Sequence, residues 1–320
     1  MNLVRQIRAS LNPPLIALIL AVILFFAGGL INPAFVNLNQ ATNIVRLAAF
    51  LGIIAAGQTL VIISGGEGID LSVGAVVTMG AILTFRLTGG DNSLIVLALL
   101  VSCGAGILIG LVNGLGIALL RIPPLVMTLS MTGVVQGSIL VLTQGEMIGA
   151  TPSLMREWIA NPLILGLPGV IFIWAFIGVL MWVLLERTTY GKQLFAIGVN
   201  RTVARFSGVR VQMIVVVTYT LSGLLAGFGG FILLGFAQTV FLQLGSNYLF
   251  PSIAAVVVGG TLLSGGKGSY WGTMSGALIL TLIDSLLRAA GLEQAYQLIV
   301  FGVILLLLIA VYGRQRSLRQ

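Results

Sequence analysis

Val303-Ile304-Leu305-Leu306-Leu307-Leu308 is an apolar run with no polar residue at any alternate position. A strand of a membrane barrel alternates lipid-facing and lumen-facing side chains, so this run is not barrel-like. In hydrocarbon the backbone has no water to bond, and a helix satisfies its own N–H and C=O groups. Comparable runs fall at approximately 15–31, 47–64, 71–88, 94–119, 124–142, 169–185, 212–235, 250–264, 270–289 and 296–312, each near the roughly 20 residues a span requires. The sequence therefore predicts an all-α, polytopic integral membrane protein of about ten transmembrane helices. Residues 1–320 are read as a single transmembrane domain with no linker.

The composition agrees. Apolar residues make up 58% of the chain and charged residues 8%, whereas a soluble domain carries roughly a quarter charged residues. Lipid must solvate most of this surface. The formal charge is +8 with no histidine. That excess reads as topology rather than nucleic-acid binding, because Lys and Arg collect in cytoplasmic loops. Cys103 is the only cysteine, so no intrachain disulfide is expected. A zinc site of Cys and His ligands is excluded by the same inventory, and no metal site is expected. Arg5 and Arg8 precede the first run but no A-x-A site follows, so the run is read as an uncleaved span.

Orientation follows from the basic residues. Arg5 and Arg8 come before the first run; Arg187, Lys192, Arg201, Arg205 and Arg210 crowd the loop after the sixth; Arg314, Arg316 and Arg319 follow the tenth. All three clusters are cytoplasmic if six spans precede the central loop and four follow it. Both termini are then cytoplasmic, with Arg121 and Lys267 on the same side. Arg46 and Arg156 fall outside, where they are candidates for contact with an acidic partner surface. For Arg156, a local pair with Glu157 or snorkelling to headgroups is the plainer alternative. Pro33 marks a break, Pro123-Pro124 should open the fifth helix, and Pro251 should open the eighth. Pro152, Pro162 and Pro168 lie in an outer loop too polar and broken to cross.

Two segments about 200 residues apart resemble each other, as internal repeats do. Ala55-Ala56, Thr59, Ser64-Gly65-Gly66-Glu67-Gly68, Gly74 and Gly80-Ala81 find counterparts in Ala254-Ala255, Thr261, Ser264-Gly265-Gly266-Lys267-Gly268, Gly272 and Gly276-Ala277. In each, a helix ends at Ser-Gly-Gly-x-Gly and another begins. Neither break is a phosphate loop, since around Lys267 the first glycine position is Thr261 and the last is Gly268. Glycine here ends a helix in the left-handed region, and Asp70 is expected to cap the next one. Glu67 and Lys267 occupy matching places, as two solvated charges or as a gate pair. Stripes such as Ser102, Gly106, Gly110 and Gly114, or Gly223 and Gly227, are expected to let helices approach closely.

Polar residues inside spans are expensive, which makes Gln58, Asn113, Gln136, Ser222 and Asp284 candidates for a translocation path. For Asp284 the alternative is an i, i+4 pair with Arg288. In the central loop Asn200 can cap a short helix that Gly208 ends. Val203, Ala204 and Phe206 are expected on one side of it and Arg201 and Arg205 on another. Such a helix rests on anionic lipid or docks into a partner's groove.

These segments resemble the permease subunits of ribose-type ABC importers, a branch of the branched-chain amino acid/ribose-like binding-protein-dependent permeases that also serves other sugars and autoinducer-type solutes. The resemblance rests on Ala56-Gly57-Gln58-Thr59-Leu60-Val61-Ile62, Gly68-Ile69-Asp70-Leu71-Ser72-Val73-Gly74 and Thr189-Tyr190-Gly191-Lys192-Gln193-Leu194-Phe195-Ala196-Ile197-Gly198-Val199-Asn200. It continues through Ala204, Ser207-Gly208-Val209, Leu221-Ser222-Gly223-Leu224-Leu225-Ala226-Gly227, Ile253 to Thr261 and Gly265-Gly266-Lys267-Gly268, and so covers nearly the whole chain. The resemblance implies a permease domain in a bacterial inner membrane, paired with a second permease, identical or not. It implies two copies or a fused pair of a cytoplasmic ATPase that binds ATP and Mg, with no cofactor in this chain. It also implies a periplasmic or lipid-anchored solute-binding protein, which Arg46 and Arg156 would meet. Asn200, Arg201, Val203, Ala204, Arg205, Phe206 and Gly208 would form the helix seated in the ATPase. The family's first glycine break commonly runs from Gly-Gly straight to Ile-Asp; here Glu67-Gly68 is interposed, so that turn should differ.

Two rival classes fit the sequence less well. An ion-coupled secondary transporter uses breaks and carboxylates deep in the bilayer, and the glycine breaks are expected at the cytoplasmic edge. An intramembrane enzyme is disfavoured because no histidine base or ligand exists.

Overall fold

The computed structural model of the chain describes residues 13–293 and, beyond them, residues 295, 296, 299, 300, 302, 303 and 306. The tenth apolar run falls largely outside the described residues, and Arg5, Arg8, Arg314, Arg316 and Arg319 fall wholly outside. Lipid-compatible helices account for nearly everything else. They are α1 (Pro13–Ile31), α2 (Leu38–Ile63), α3 (Val73–Thr88), α4 (Ile95–Ala118), α5 (Pro124–Thr143), α6 (Gly169–Trp182), α7 (Thr189–Val199), α8 (Arg201–Phe206), α9 (Val211–Ala237), α10 (Ser246–Val258) and α11 (Tyr270–Ala289). Six helices are long and apolar enough to cross a membrane: α2, α4, α5, α6 with its final turn to Arg187, α9 and α11. The apolar part of α1, Leu18–Ile31, and the whole of α3 and α10 are shorter. Nine expected runs thus correspond to nine apolar helices among the described residues.

Local rules set many of the boundaries. Pro124 opens α5, where its missing N–H costs nothing. The eighth run is displaced: α10 begins at Ser246, so Pro251 lies inside it rather than at its start. The chain leaves α10 at Gly259, and Gly260 is left-handed at φ +90°, so 259–264 is turn rather than span. The outer loop holds a helical turn Ser153–Met155 and a small hairpin of β1 (Pro162–Ile164) and β2 (Leu167–Pro168).

α9 is the central helix and packs on α4, α3 and α2, while α11 packs on α1, α2 and α10. α4 and α9 approach very closely. A Cβ built on Gly106 would meet the Gly223 carbonyl oxygen, and one on Gly223 would meet the carbonyl oxygen of Gly106. Glycine at both positions lets the two backbones touch, which is how small residues hold helices together without a hydrophobic drive. The outward faces of α5 and α6 carry exposed Leu129, Val134, Phe176 and Val179, as a surface in contact with hydrocarbon does.

The connections sort into two ends. Gly198 lies against the Ile63 carbonyl and Gly266, and Gln212 donates to Ala118 O at 3.3 Å. Segments 64–72, 119–123, 188–210 and 259–269 therefore share one end. Ala150 N–H donates to Phe85 O at 3.3 Å, Thr151 to Gln238 O at 3.1 Å and Arg46 to Ala160 O at 3.4 Å. Those contacts gather the remaining loops at the other end. Arg121, Arg187, Lys192, Arg201, Arg205, Arg210 and Lys267 all lie at the first, which we call the basic end.

Candidate functional site

The two glycine breaks meet. Ser64-Gly65-Gly66 and Ser264-Gly265-Gly266 share one local conformation, with φ of +66° and +63° in the first and +85° and +74° in the second. Gly266 N–H donates to Ile63 O at 2.9 Å, and a Cβ on Gly265 would collide with Gly65 Cα. The interposed Glu67 is left-handed too, at φ +61°. Three successive left-handed residues wind the first break back on itself, and Gly68 N–H closes it on Gly65 O at 3.2 Å. A left-handed non-glycine costs about 1–2 kcal/mol, so the surrounding contacts must hold Glu67 in place. Glu67 and Lys267 are both exposed, and the ion pair found among the described residues is Asp284–Arg288, not these two.

After this turn the chain re-enters the bundle. Asp70 is buried and level with Gln58, which lies five residues before the end of α2, about 8 Å along its axis. The break is therefore not confined to the edge, contrary to expectation. Asp70 also does more than cap a helix. The N-cap of α3 is Ser72. Asp70 Oδ1 accepts from Ser72 N–H at 3.0 Å and from Ser72 Oγ at 2.6 Å, while Oδ2 accepts from Ser222 Oγ at 2.8 Å. Asn113 Nδ2 donates to Ser72 Oγ at 3.0 Å. Gln58 holds the Asp70 main chain, Thr128 Oγ1 donates to Ile69 O at 3.3 Å and Thr132 Oγ1 to Leu71 O at 3.0 Å. Irregular backbone at membrane depth survives only where protein satisfies it, and here α2, α4, α5 and α9 each contribute.

Three of the five expected path residues, Gln58, Asn113 and Ser222, thus converge on Asp70 and are buried within the subunit. Gln136 is exposed on α5, away from this hub. Asp284 pairs with Arg288 at 2.9 Å. It lines a cavity of about 340 Å³ at the end opposite the basic one, with Phe236, Phe241, Asn247, Tyr248 and Thr281. Ser72, Thr128 and Thr132 join the hub without a sequence signal, since a short hydroxyl residue in a span does not announce which acceptor it will reach. Among the described residues, Asn113 Oδ1 and the Tyr219 hydroxyl are buried without a partner.

α8 projects at the basic end. Asn200 Oδ1 accepts from Thr202 N–H at 2.9 Å and Val203 N–H at 3.0 Å, and Gly208 ends the turn at φ +84°. Val203 is 59% exposed and Phe206 88%, which leaves two large apolar side chains facing out beside exposed Arg205. Ala204 is buried and so packs inward rather than sharing their face. Arg201 likewise turns inward, to Gly65 O at 3.1 Å. At the opposite end Arg46 is not a free surface charge. Nη2 donates to Asn43 Oδ1 at 2.6 Å and the guanidinium stacks 5.0 Å from the Phe236 ring. Arg156 is exposed there. No three His, Cys, Asp or Glu side chains gather as a metal site among the described residues.

Residues 40–309 match the family model described as branched-chain amino acid transport system / permease component. The ribose import permease protein RbsC of Escherichia coli is 33% identical over 304 residues, covering 94% of this chain and 94% of its own length. The ribose import permease protein RbsC of Bacillus subtilis is 35% identical over 308 residues, covering 95% and 92%. The fructose import permease protein FrcC of Rhizobium meliloti is 32% identical over 310 residues, covering 93% and 84%. No solved structure matches the chain.

Proposed function

Because the chain belongs to the branched-chain amino acid transport system / permease component family, we propose that it is the membrane-spanning permease subunit of an ATP-binding-cassette importer. It forms the translocation path for a sugar or similar small polar solute, and a separate ATPase drives it. The relatives named for ribose and fructose favour a sugar over an amino acid. The cavity beside Asp284 has suitable chemistry: aromatic walls with a few polar groups, the usual make-up of a small-molecule pocket.

The observation that carries the reading is α8, a capped helix with Val203 and Phe206 exposed at the basic end. Exposed apolar side chains on a short helix suit docking into a partner's groove. That end faces the cytoplasm by its positive charge, in a bacterial inner membrane with both termini cytoplasmic. The ATPase, as two copies or a fused pair, binds ATP and Mg there. A second permease, identical or not, completes the path, and a periplasmic or lipid-anchored binding protein delivers solute at the opposite end. Arg156 is the remaining candidate contact for that protein, since Arg46 is occupied within the subunit.

Reconstitution with the companion ATPase and binding protein in proteoliposomes tests this. Labelled ribose, fructose and related sugars should enter only with hydrolysable ATP on the α8 side. Uptake driven by an ion gradient without the ATPase would overturn the reading in favour of a secondary transporter.

A further inference from the structure

Arg201 opens α8, yet its side chain leaves the surface that Val203 and Phe206 make. It reaches inward to the first glycine break, where Nη2 donates to Gly65 O at 3.1 Å. A Cβ built on Gly66 would lie 2.5 Å from Arg201 Cζ and 2.6 Å from Nη2. The guanidinium therefore fills the space that a side chain at 66 would take. The break it grips is also gripped from the other half, through Gly266 N–H on Ile63 O. From Gly65 the chain passes through one left-handed turn to Asp70, which Gln58 of α2 and Ser222 of α9 hold.

α8 has few other ties to the bundle. It is six residues long, Ala204 is its buried side chain, and Asn200 before it is extended at φ −159°. A short helix joined to α7 through one extended residue is steadied by a lateral strut. Arg201 supplies one, with a charged donor on a carbonyl that is itself fixed in a left-handed turn.

We propose that Arg201 is a positioning residue that ties α8 to the Gly65–Ser72 segment, so that a displacement of α8 moves that segment and the helices bonded to it. This assigns Arg201 a role distinct from docking, and it rests on the reading that a separate ATPase acts on α8. Coupling then runs through a continuous chain of bonded groups from α8 to Asp70, the kind of physical network that can carry energy between sites.

The test uses the full transporter, with permease, ATPase and binding protein, in proteoliposomes. Three quantities are read: ATPase co-purified per permease, ATP hydrolysed, and sugar imported per ATP. Arg201→Gln should keep the ATPase bound and hydrolysing while sugar per ATP falls by about tenfold, the size of an ordinary coupling term. Arg201→Lys, which can still donate to Gly65 O, should recover most of the loss. Gly66→Ala should lower sugar per ATP at least as much, because the added methyl expels the guanidinium and also strains a left-handed position; import by this variant carries the test should Arg201→Gln fail to reach the membrane. Wild-type import per ATP in Arg201→Gln or in Gly66→Ala would overturn the proposal. So would loss of ATPase binding in Arg201→Gln, which would put Arg201 in the docking surface. A wild-type complex that imports without ATP would instead sink the parent reading, and the two failures are separable.

Discussion

The side-chain amide of Gln58 closes on the main chain of Asp70 with both of its ends: Nε2 donates to Asp70 O at 2.6 Å and Oε1 accepts from Asp70 N–H at 3.2 Å. Both residues are buried. A side chain here substitutes for the helical partners that the broken backbone has lost.

That relationship predicts the effect of removing it. Gln58→Leu keeps the bulk but leaves the N–H and C=O of Asp70 unpaired in the interior, at about 1–3 kcal/mol for each group. Thermal unfolding of the purified permease should occur at a distinctly lower temperature. Gln58→Glu should be at least as damaging, since an ionised carboxylate cannot donate to Asp70 O and would stand close to a second buried acid. An unchanged melting temperature in both variants would mean that the pairing contributes nothing.

The Asp70 carboxylate and the Ser222 hydroxyl should behave as a coupled pair. Asp70→Ala and Ser222→Ala each remove the same 2.8 Å bond between α9 and the re-entrant segment. Residues in one hydrogen-bonded network couple by about 0.5–3 kcal/mol, so the double variant should lose less stability than the single losses sum to. Strict additivity in a double-mutant cycle would separate the two residues.

The helices were legible in the sequence because lipid leaves the backbone few options. Asn200, Gly208 and Pro124 were legible because capping and proline rules are local. The hub was not, because Gln58 and Ser222 meet Asp70, and Asn113 meets Ser72, across separations as long as 152 residues, and a polar residue in a span announces its cost but not its partner. Arg46 shows the same limit. It sits on an outer loop by counting spans, yet the fold brings Phe236 and Ala160 to it. In α8 six residues are too few for a periodicity, so the inward turn of Ala204 had no sequence signal.

Glycine positions divide into two groups with opposite expected responses. Gly106→Ala places a methyl against the Gly223 carbonyl and must push α4 off α9, an overpacking cost of about 1–3 kcal/mol or more. Gly133 and Gly137 on α5 have open space around them within this chain, so Gly133→Ala and Gly137→Ala should leave its unfolding temperature unchanged or slightly raised. Melting curves of the four purified proteins, wild type included, decide this; equal losses at Gly106 and Gly133 would contradict the packing between α4 and α9.

The most direct test of the account is at α8. Phe206→Asp changes a side chain that is 88% exposed, so the permease should reach the membrane and melt as wild type does. Its companion ATPase should no longer co-purify, and ATP-driven sugar import should stop; Val203→Asp should do the same, while Ala204→Asp should unfold the region instead. Full co-purification and normal import by Phe206→Asp would contradict the claim that this helix is where the driving subunit engages.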